Sequence, residues 1–259
     1  MTPKDDYAFV GEPRLPNFRP EADEVHISVA FTWDMDIAID LGGAWQRYYP
    51  VVRISGPAFG DPCNGFHPGI YIRDGVTFTS RGCNNQCPWC LAWKREGKLR
   101  EIENFSEGNI IQDNNLLQCN NEHISKVLDM LRKQKAIQFS GGLDARLMKD
   151  WVADEIRGLS VKQIFLAADT DAAIKPLERA VKLLNMSREK VRCYVLLAYN
   201  GESMSKGIER LERAWHAGTV PFAQLYQPPD EYIEYSQEWH KLARSWSRPA
   251  ATKALMRGK

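Results

Sequence analysis

The stretch Val76-Thr-Phe-Thr-Ser-Arg-Gly-Cys83-Asn-Asn-Gln-Cys87-Pro-Trp-Cys90 runs from a short apolar segment into three cysteines at a C-x3-C-x2-C spacing. Val76–Thr79 reads as a strand, because β-branched and aromatic residues suit a pleated, half-buried surface. Thiolates this close in sequence can converge on one soft metal centre. Three protein ligands are one short of a closed tetrahedral zinc site and one short of a fully protein-ligated iron–sulfur cube. The spacing alone leaves both open.

Downstream, the hydrophobic pattern alternates. Glu122 to Lys133 reads as a helix with Ile124, Val127, Leu128 and Leu131 on one face and Asn121 as N-cap. Ala136–Phe139 reads as a strand ending in Ser140-Gly141-Gly142, and Leu147 to Arg157 as a helix. Strands at Gln163–Ala167, Val191–Ala198 and Phe222–Leu225 are followed by helices at Ala172–Leu184, Ser203–His216 and Ile233–Ser245. This alternation implies parallel strands joined by right-handed crossovers. About five such repeats predict an α/β fold, a partial parallel (β/α) barrel over residues 76–238. Upstream, residues 1–22 are an irregular arm rich in proline and charge. Residues 23–75 hold a strand at Val25–Phe31, a helix at Asp34–Tyr48 and a second strand at Val51–Ile54, then a turn-rich connector at 59–75. The helix carries Asp34 as N-cap and Ile37, Leu41 and Trp45 at four-residue spacing, so this is a small βαβ unit. Residues 239–259 form a basic C-terminal tail.

A chain of 259 residues buries a sizeable core, enough for one large α/β domain with or without a small appendage. The 34 basic and 33 acidic residues cancel, so overall charge makes no case for a polyanionic partner. No apolar run approaches the roughly 20 residues that span a bilayer. Met1-Thr-Pro-Lys-Asp-Asp6 has no apolar h-region, so neither a membrane nor a secretory role is expected. Six cysteines, three of them clustered, suit metal binding in reducing cytoplasm better than a disulfide framework.

In a parallel barrel the functional groups gather at the C-terminal ends of the strands. The cysteines follow the first strand, Ser140-Gly141-Gly142-Leu143-Asp144 the second, and Asp169-Thr170-Asp171 the third. Tyr199-Asn200-Gly201-Glu202 follows the fourth and Tyr226-Gln227 the fifth. Singly, each has an ordinary reading: Gly141-Gly142 is a tight turn, Asp169 and Asp171 start a helix, Asn200-Gly201 is a turn dipeptide. Their agreement in position marks one shared site. Asp113, Asn115, Cys119 and Tyr226 are the candidates for substrate chemistry. Their ordinary readings are an exposed turn for Asp113-Asn114-Asn115 and a buried structural thiol for Cys119. Cys63, Cys119 and Cys193 lack the spacing for a second cluster, and Cys193 lies in an apolar strand. From Trp239 onward there are six cations (Lys241, Arg244, Arg248, Lys253, Arg257, Lys259) and no acid, with Trp239 and Trp246 interleaved. That pattern can grip phosphates and stack bases, but an amphipathic final helix with a solvated tail is the favoured reading.

Cys83-x3-Cys87-x2-Cys90, with Trp89 before the last cysteine and a first barrel strand before the loop, resembles the signature of the radical S-adenosylmethionine (SAM) superfamily. The resemblance implies an enzyme whose three thiolates hold a 4Fe–4S cluster, with SAM on the fourth iron. Reductive cleavage of SAM would give methionine and a 5′-deoxyadenosyl radical that acts on a substrate still to be identified, a nucleotide or nucleic acid among the options. A reductant such as flavodoxin or ferredoxin would supply the electron. Ser140, Gly141 and Gly142 resemble the glycine motif that contacts the SAM amino group, and Asp144 and Asp169 fall where polar SAM contacts are expected. Tyr199, Asn200, Gly201 and Glu202 are similar to the later motif near the adenine. The resemblance covers roughly residues 76–226. Gly75–Cys83 and Asp113–Asn115 are more narrowly similar to the cobalamin-associated branch, among small members from bacteria and their phages. No Asp-x-His-x-x-Gly motif is present and the N-terminal unit is short, so cobalamin is not expected. The competing reading is a zinc-binding or non-catalytic iron–sulfur interaction module, with Cys63 or His67 closing a zinc site.

Overall fold

A computed structural model describes residues 3–59 and 72–258. Its chain divides into two units, Met1–Asp74 with Gln227–Ile233 and Gly75–Tyr226 with Glu234–Lys259.

In the smaller unit, β1 (Glu24–Ser28) and β2 (Val51–Ser55) pair in parallel across α1 (Met35–Gln46), giving the expected βαβ connection. The buried face of α1 differs from the expected one. Ala38, Gly42 and Trp45 face inward, whereas Ile37 is 66% exposed. The small residues let the helix lie close to the sheet: a Cβ at Gly42 would stand 2.8 Å from Ile54 Cδ1. Asp34 sits at the N-cap without a capping side-chain bond. Hydrogen bonds from Trp45 Nε1 to the Gly11 carbonyl and from Tyr49 to the Pro20 carbonyl tie down the irregular arm.

The larger unit is built on a six-stranded parallel sheet. Its strands are β3 (Val76–Thr77), β6 (Ile110–Ile111), β7 (Ile137–Leu143), β8 (Val161–Ala167), β9 (Val191–Leu197) and β10 (Val220–Leu225), in that spatial order. Spatial order therefore follows chain order, with no reversal across the sheet. The first strand is shorter than expected. After Thr79 the chain turns into β4 (Ser80–Arg81), which pairs antiparallel with β5 (Arg100–Glu101). The two-residue β6 was not foreseen; it lies between β3 and β7, so Ile137–Leu143 is the third strand of the sheet.

The crossovers run through α3 (Asn121–Arg132), α4 (Asp150–Arg157), α5 (Ile174–Leu184) and α6 (Met204–His216). On α3 the expected face, Ile124, Val127, Leu128 and Leu131, is almost fully buried. Each such side chain contributes about 2 kcal/mol by leaving water. The N-cap is Asn120 rather than Asn121, its Oδ1 accepting the His123 N–H at 2.7 Å. A five-residue helix, α2 (Ala92–Glu96), follows the cysteines. The chain closes with α7 (Gln237–Ser247) and α8 (Pro249–Arg257), so the expected basic tail is helical and its boundary at 238/239 falls inside α7. Trp246 is 1% exposed and part of the core, so its ring offers no face for stacking a base. No helix among the described residues is long and apolar enough to cross a membrane.

Ser140-Gly141-Gly142 is not a turn but the irregular end of β7, where the register to β8 shifts between Phe139 and Leu143. Gly141 is required there because β7 runs hard against the end of β6. A Cβ on it would lie 1.9 Å from the Asp113 carbonyl oxygen. Gly141→Ala must push the two strand ends apart, and we expect a loss of about 3 kcal/mol, read as a shift of the urea midpoint. An unchanged midpoint would show that the ends separate freely.

Candidate metal centre

The cysteine loop begins on a buried polar knot. Asp113, at the end of β6, accepts the Thr79 N–H at 2.6 Å, the Thr79 hydroxyl at 2.6 Å and the Ser80 hydroxyl at 2.7 Å. Burial pushes the Asp113 carboxyl up from its usual range, against those three donors, which pull it down. The knot fixes where the chain leaves β3. Beyond it, Gly82 N–H donates to Glu96 at 3.0 Å and Cys83 N–H to the Gly97 carbonyl at 3.1 Å. Asn84 N–H donates to Gln118 at 2.8 Å. Cys90 N–H closes a turn on the Cys87 carbonyl, which also accepts Trp93 Nε1 at 3.1 Å, and Ala92 N–H points at the Cys90 sulfur at 3.4 Å. The loop is held by its backbone, which leaves its three thiols half-exposed and free of disulfides.

Those thiols line a cavity of about 300 Å³ at the C-terminal ends of β6, β7 and β8. Gly141, Gly142, Asp144 and Asp169 line it as well, with Trp89 and Asn115 completing the set of expected residues found there. Burial raises Cys87 and Cys90; for Cys87 the neighbouring Cys90 adds to this and Arg146 opposes it. They are thus protonated at neutral pH, and a metal held there would have to displace their protons to solvent. Asp144 accepts from Asn85 at 3.0 Å and from the Arg146 guanidinium at 2.6 and 2.9 Å. Burial acts to raise its carboxyl, but the bonds from Arg146 and Asn85 outweigh it and the net shift is downward. Asp169 accepts from Leu196 N–H at 3.1 Å and from the Trp89 ring, and burial pushes its carboxyl up.

Other expected residues stand apart from the cavity lining. Glu202 is locked in a buried ion pair with Arg210, which also donates to the Leu196 carbonyl. Tyr199 packs edge-on against Trp89 at 5.4 Å, and Tyr226 against Tyr199 at 4.9 Å, so both support the wall from behind. Asn200 and Gly201 form a left-handed turn (φ +53° and +72°), and Ser140 lends only its carbonyl, to the Tyr194 hydroxyl. Asp113 is spent on the knot. Cys119 is buried, its thiol pushed up to about 11 by burial, and it is not among the residues that line the cavity. Cys193 is fully buried, as expected. Cys63 and His67 lie outside the described residues.

The cavity also uses residues that sequence reasoning did not select. Arg146 was signalled only by standing two positions after Asp144. Tyr194 gave no signal, since an aromatic in an apolar strand reads as core. Asn114, by contrast, belongs to the polar run already offered as pocket lining, and it lines the cavity; its amide donates to Glu96 at 2.8 Å. Two features of the cavity ask for a ligand. Asn115 is 4% exposed and its Oδ1 has no partner among the described residues, an arrangement that costs free energy until a donor arrives. Gly142, at φ +95°, has open space where a Cβ would be, so a ligand can approach the backbone there. Among the described residues, no three Cys, His, Asp or Glu side chains are gathered around one ion position. Thiols of a cubane each take a different iron, so they line a cavity rather than meet at a point. No protein-family model matches the chain, and no curated protein matches it.

Proposed function

We propose that this protein is a radical SAM enzyme, with Cys83, Cys87 and Cys90 as ligands of a 4Fe–4S cluster and the parallel sheet as a partial (β/α) barrel around it. The observation that carries this reading is that the three cysteines share one cavity with the ends of β7 and β8, including Gly142, Asp144 and Asp169. Sequential strand order supports the barrel reading, because a doubly wound sheet would reverse its order at a switch point. When bound, the cluster and SAM supply reductive S–C5′ cleavage and a carbon radical able to take a hydrogen atom from substrate.

The chain's own residues bind, orient and shield. The thiols surrender their protons to hold the metal. Gly142 opens the backbone of β7 to the ligand, and Asn115 Oδ1 accepts one of its N–H or O–H groups. Asp144, steadied by Arg146 and Asn85, and Asp169, steadied by Leu196 and Trp89, offer fixed acceptors within the cavity. Leu143, Ala145, Ala167, Ala172, Ala173 and Pro176 provide an apolar lining that limits water. Flavodoxin or ferredoxin would serve as the external electron donor.

Anaerobic reconstitution with iron and sulfide, followed by SAM and reductant, tests the proposal through the release of 5′-deoxyadenosine. A colourless zinc protein, or a brown protein that leaves SAM intact, would overturn it. Asn115→Leu keeps the branched shape of the side chain but removes the waiting acceptor. We expect about tenfold weaker SAM binding by equilibrium dialysis, with iron content unchanged. Equal affinity would mean that Asn115 does not meet SAM.

A further inference from the structure

The segment directly after the cysteine loop, Lys94-Arg-Glu-Gly-Lys-Leu-Arg100, carries four cations and one acid. The acid is turned inward. Glu96 accepts from Gly82 N–H, from Arg81 at 3.1 Å and from Asn114 at 2.8 Å. Lys94, Arg95, Lys98 and Arg100 are all exposed, and among the described residues none of them forms an ion pair. Glu101, the next acid along, is occupied by the Asn120 N–H and amide. A basic ledge without acids is left, in which Arg100 also donates to the Glu96 carbonyl and Lys94 lies over the Trp93 ring, and it is bolted to the cysteine loop. Cys83 N–H donates to Gly97, Leu99 N–H donates to Asn84 at 3.2 Å, and Asn114 joins Glu96 to the cavity wall.

The near-zero net charge of the chain hides a division. The unit holding the cavity has 28 Lys and Arg against 20 Asp and Glu, while the smaller unit has 6 against 13. The basic excess therefore lies with the cavity.

We propose that single-stranded nucleic acid binds along Lys94, Arg95, Lys98 and Arg100 through its phosphates, and that this ledge delivers a nucleotide to the cavity. The proposal rests on the cavity being the reaction site. Cations on one short segment suit a linear run of phosphates. The five-residue α2 is too short to read a major groove, and a half-open cavity of about 300 Å³ has room for an unpaired base but not for a duplex. The C-terminal helices are the weaker candidate: Trp246 is buried and Lys253 is paired with Glu189 at 2.8 Å.

The test is fluorescence anisotropy of a labelled single-stranded oligonucleotide of about 15 nucleotides, DNA and RNA separately, with the full chain over a range of salt. Four phosphate contacts give a log–log salt slope of about −2.8. The Lys94→Ala/Arg95→Ala/Lys98→Ala protein should lose about 2 of that slope and bind at least about tenfold more weakly at low salt. Its iron content and its SAM cleavage without nucleic acid should match the parent. Arg248→Ala/Arg257→Ala should bind like the parent. The proposal is overturned if the parent shows no salt-dependent binding, if the triple variant binds equally, or if the C-terminal variant is the one that loses binding. It is also overturned if the triple variant is impaired only toward an acidic electron-carrier protein. Oligonucleotide binding needs no SAM cleavage, so a failure of the radical SAM reading is registered separately.

Discussion

A Cys87→Ala protein is expected to emerge from anaerobic reconstitution without the brown absorbance of an iron–sulfur cluster, and to cleave SAM only at background. The same holds for Cys83→Ala and Cys90→Ala, because two thiolates do not retain a cubane that three hold with one iron left open. Neighbouring residues set the contrast. Asn85 steadies Asp144, and Trp89 donates to Asp169, so each acts on the site through another group. Asn85→Ala and Trp89→Phe should therefore keep iron and lose about 10–100-fold in SAM cleavage, the usual effect of a supporting partner. Cys119→Ala and Cys193→Ala serve as controls. Both thiols are buried away from the cavity, and burial raises each of them. These variants should keep iron while losing some stability to the cavity left behind. Full iron and normal cleavage in any of the three loop variants would end the cluster assignment, and zinc retained by all three would point to a different ligand set.

The alternation of apolar strands and amphipathic helices was legible because each of β7 to β10 and α3 to α6 is long enough to carry a period. The cysteine loop and the strand-end residues Gly142, Asp144 and Asp169 were legible for the same reason, since a parallel α/β frame fixes which end of each strand faces the site. What stayed hidden had no local signature. Ile110–Ile111 is too short to show a period, and pairs as a strand only because β3 and β7 lie on either side of it. On α1 the expected Trp45 is buried and Leu41 packs beside it, but the rest of the buried stripe is Ala38 and Gly42, chosen for closeness, whereas a search for large apolar residues also selects the exposed Ile37. Tyr194 lies in a core strand and shows its cavity role only once β9 is placed. Glu202 looks like a site residue until Arg210, eight positions on, folds back to pair with it. Asp113 was singled out as a substrate residue from its polar neighbours, yet its partners Thr79 and Ser80 lie more than thirty positions away in the chain.

Asp113 is where the fold and the site depend on the same side chain. Asp113→Ala would leave the Thr79 N–H, the Thr79 hydroxyl and the Ser80 hydroxyl buried without their acceptor, directly ahead of Cys83. Hydroxyls can rotate toward other partners, but the N–H cannot. A loss of about 3–5 kcal/mol follows, read from urea unfolding of the metal-free protein. Asp113→Asn keeps one acceptor oxygen and should lose only about 1–2 kcal/mol. The pH dependence has a definite sign. Burial holds the Asp113 carboxyl above its unfolded value, so the folded state binds the proton more tightly, and this residue's contribution is fully present below the unfolded pKa. That contribution is lost as pH rises through the folded value. Asparagine does not titrate, so the gap between parent and Asp113→Asn should be widest in acid and narrow toward neutrality. A gap that widens with pH would mean the three donors outweigh burial and the carboxylate is the favoured form. In either case the iron content of reconstituted Asp113→Asn should fall more than its stability alone predicts, because the knot sets the position from which the cysteine loop departs.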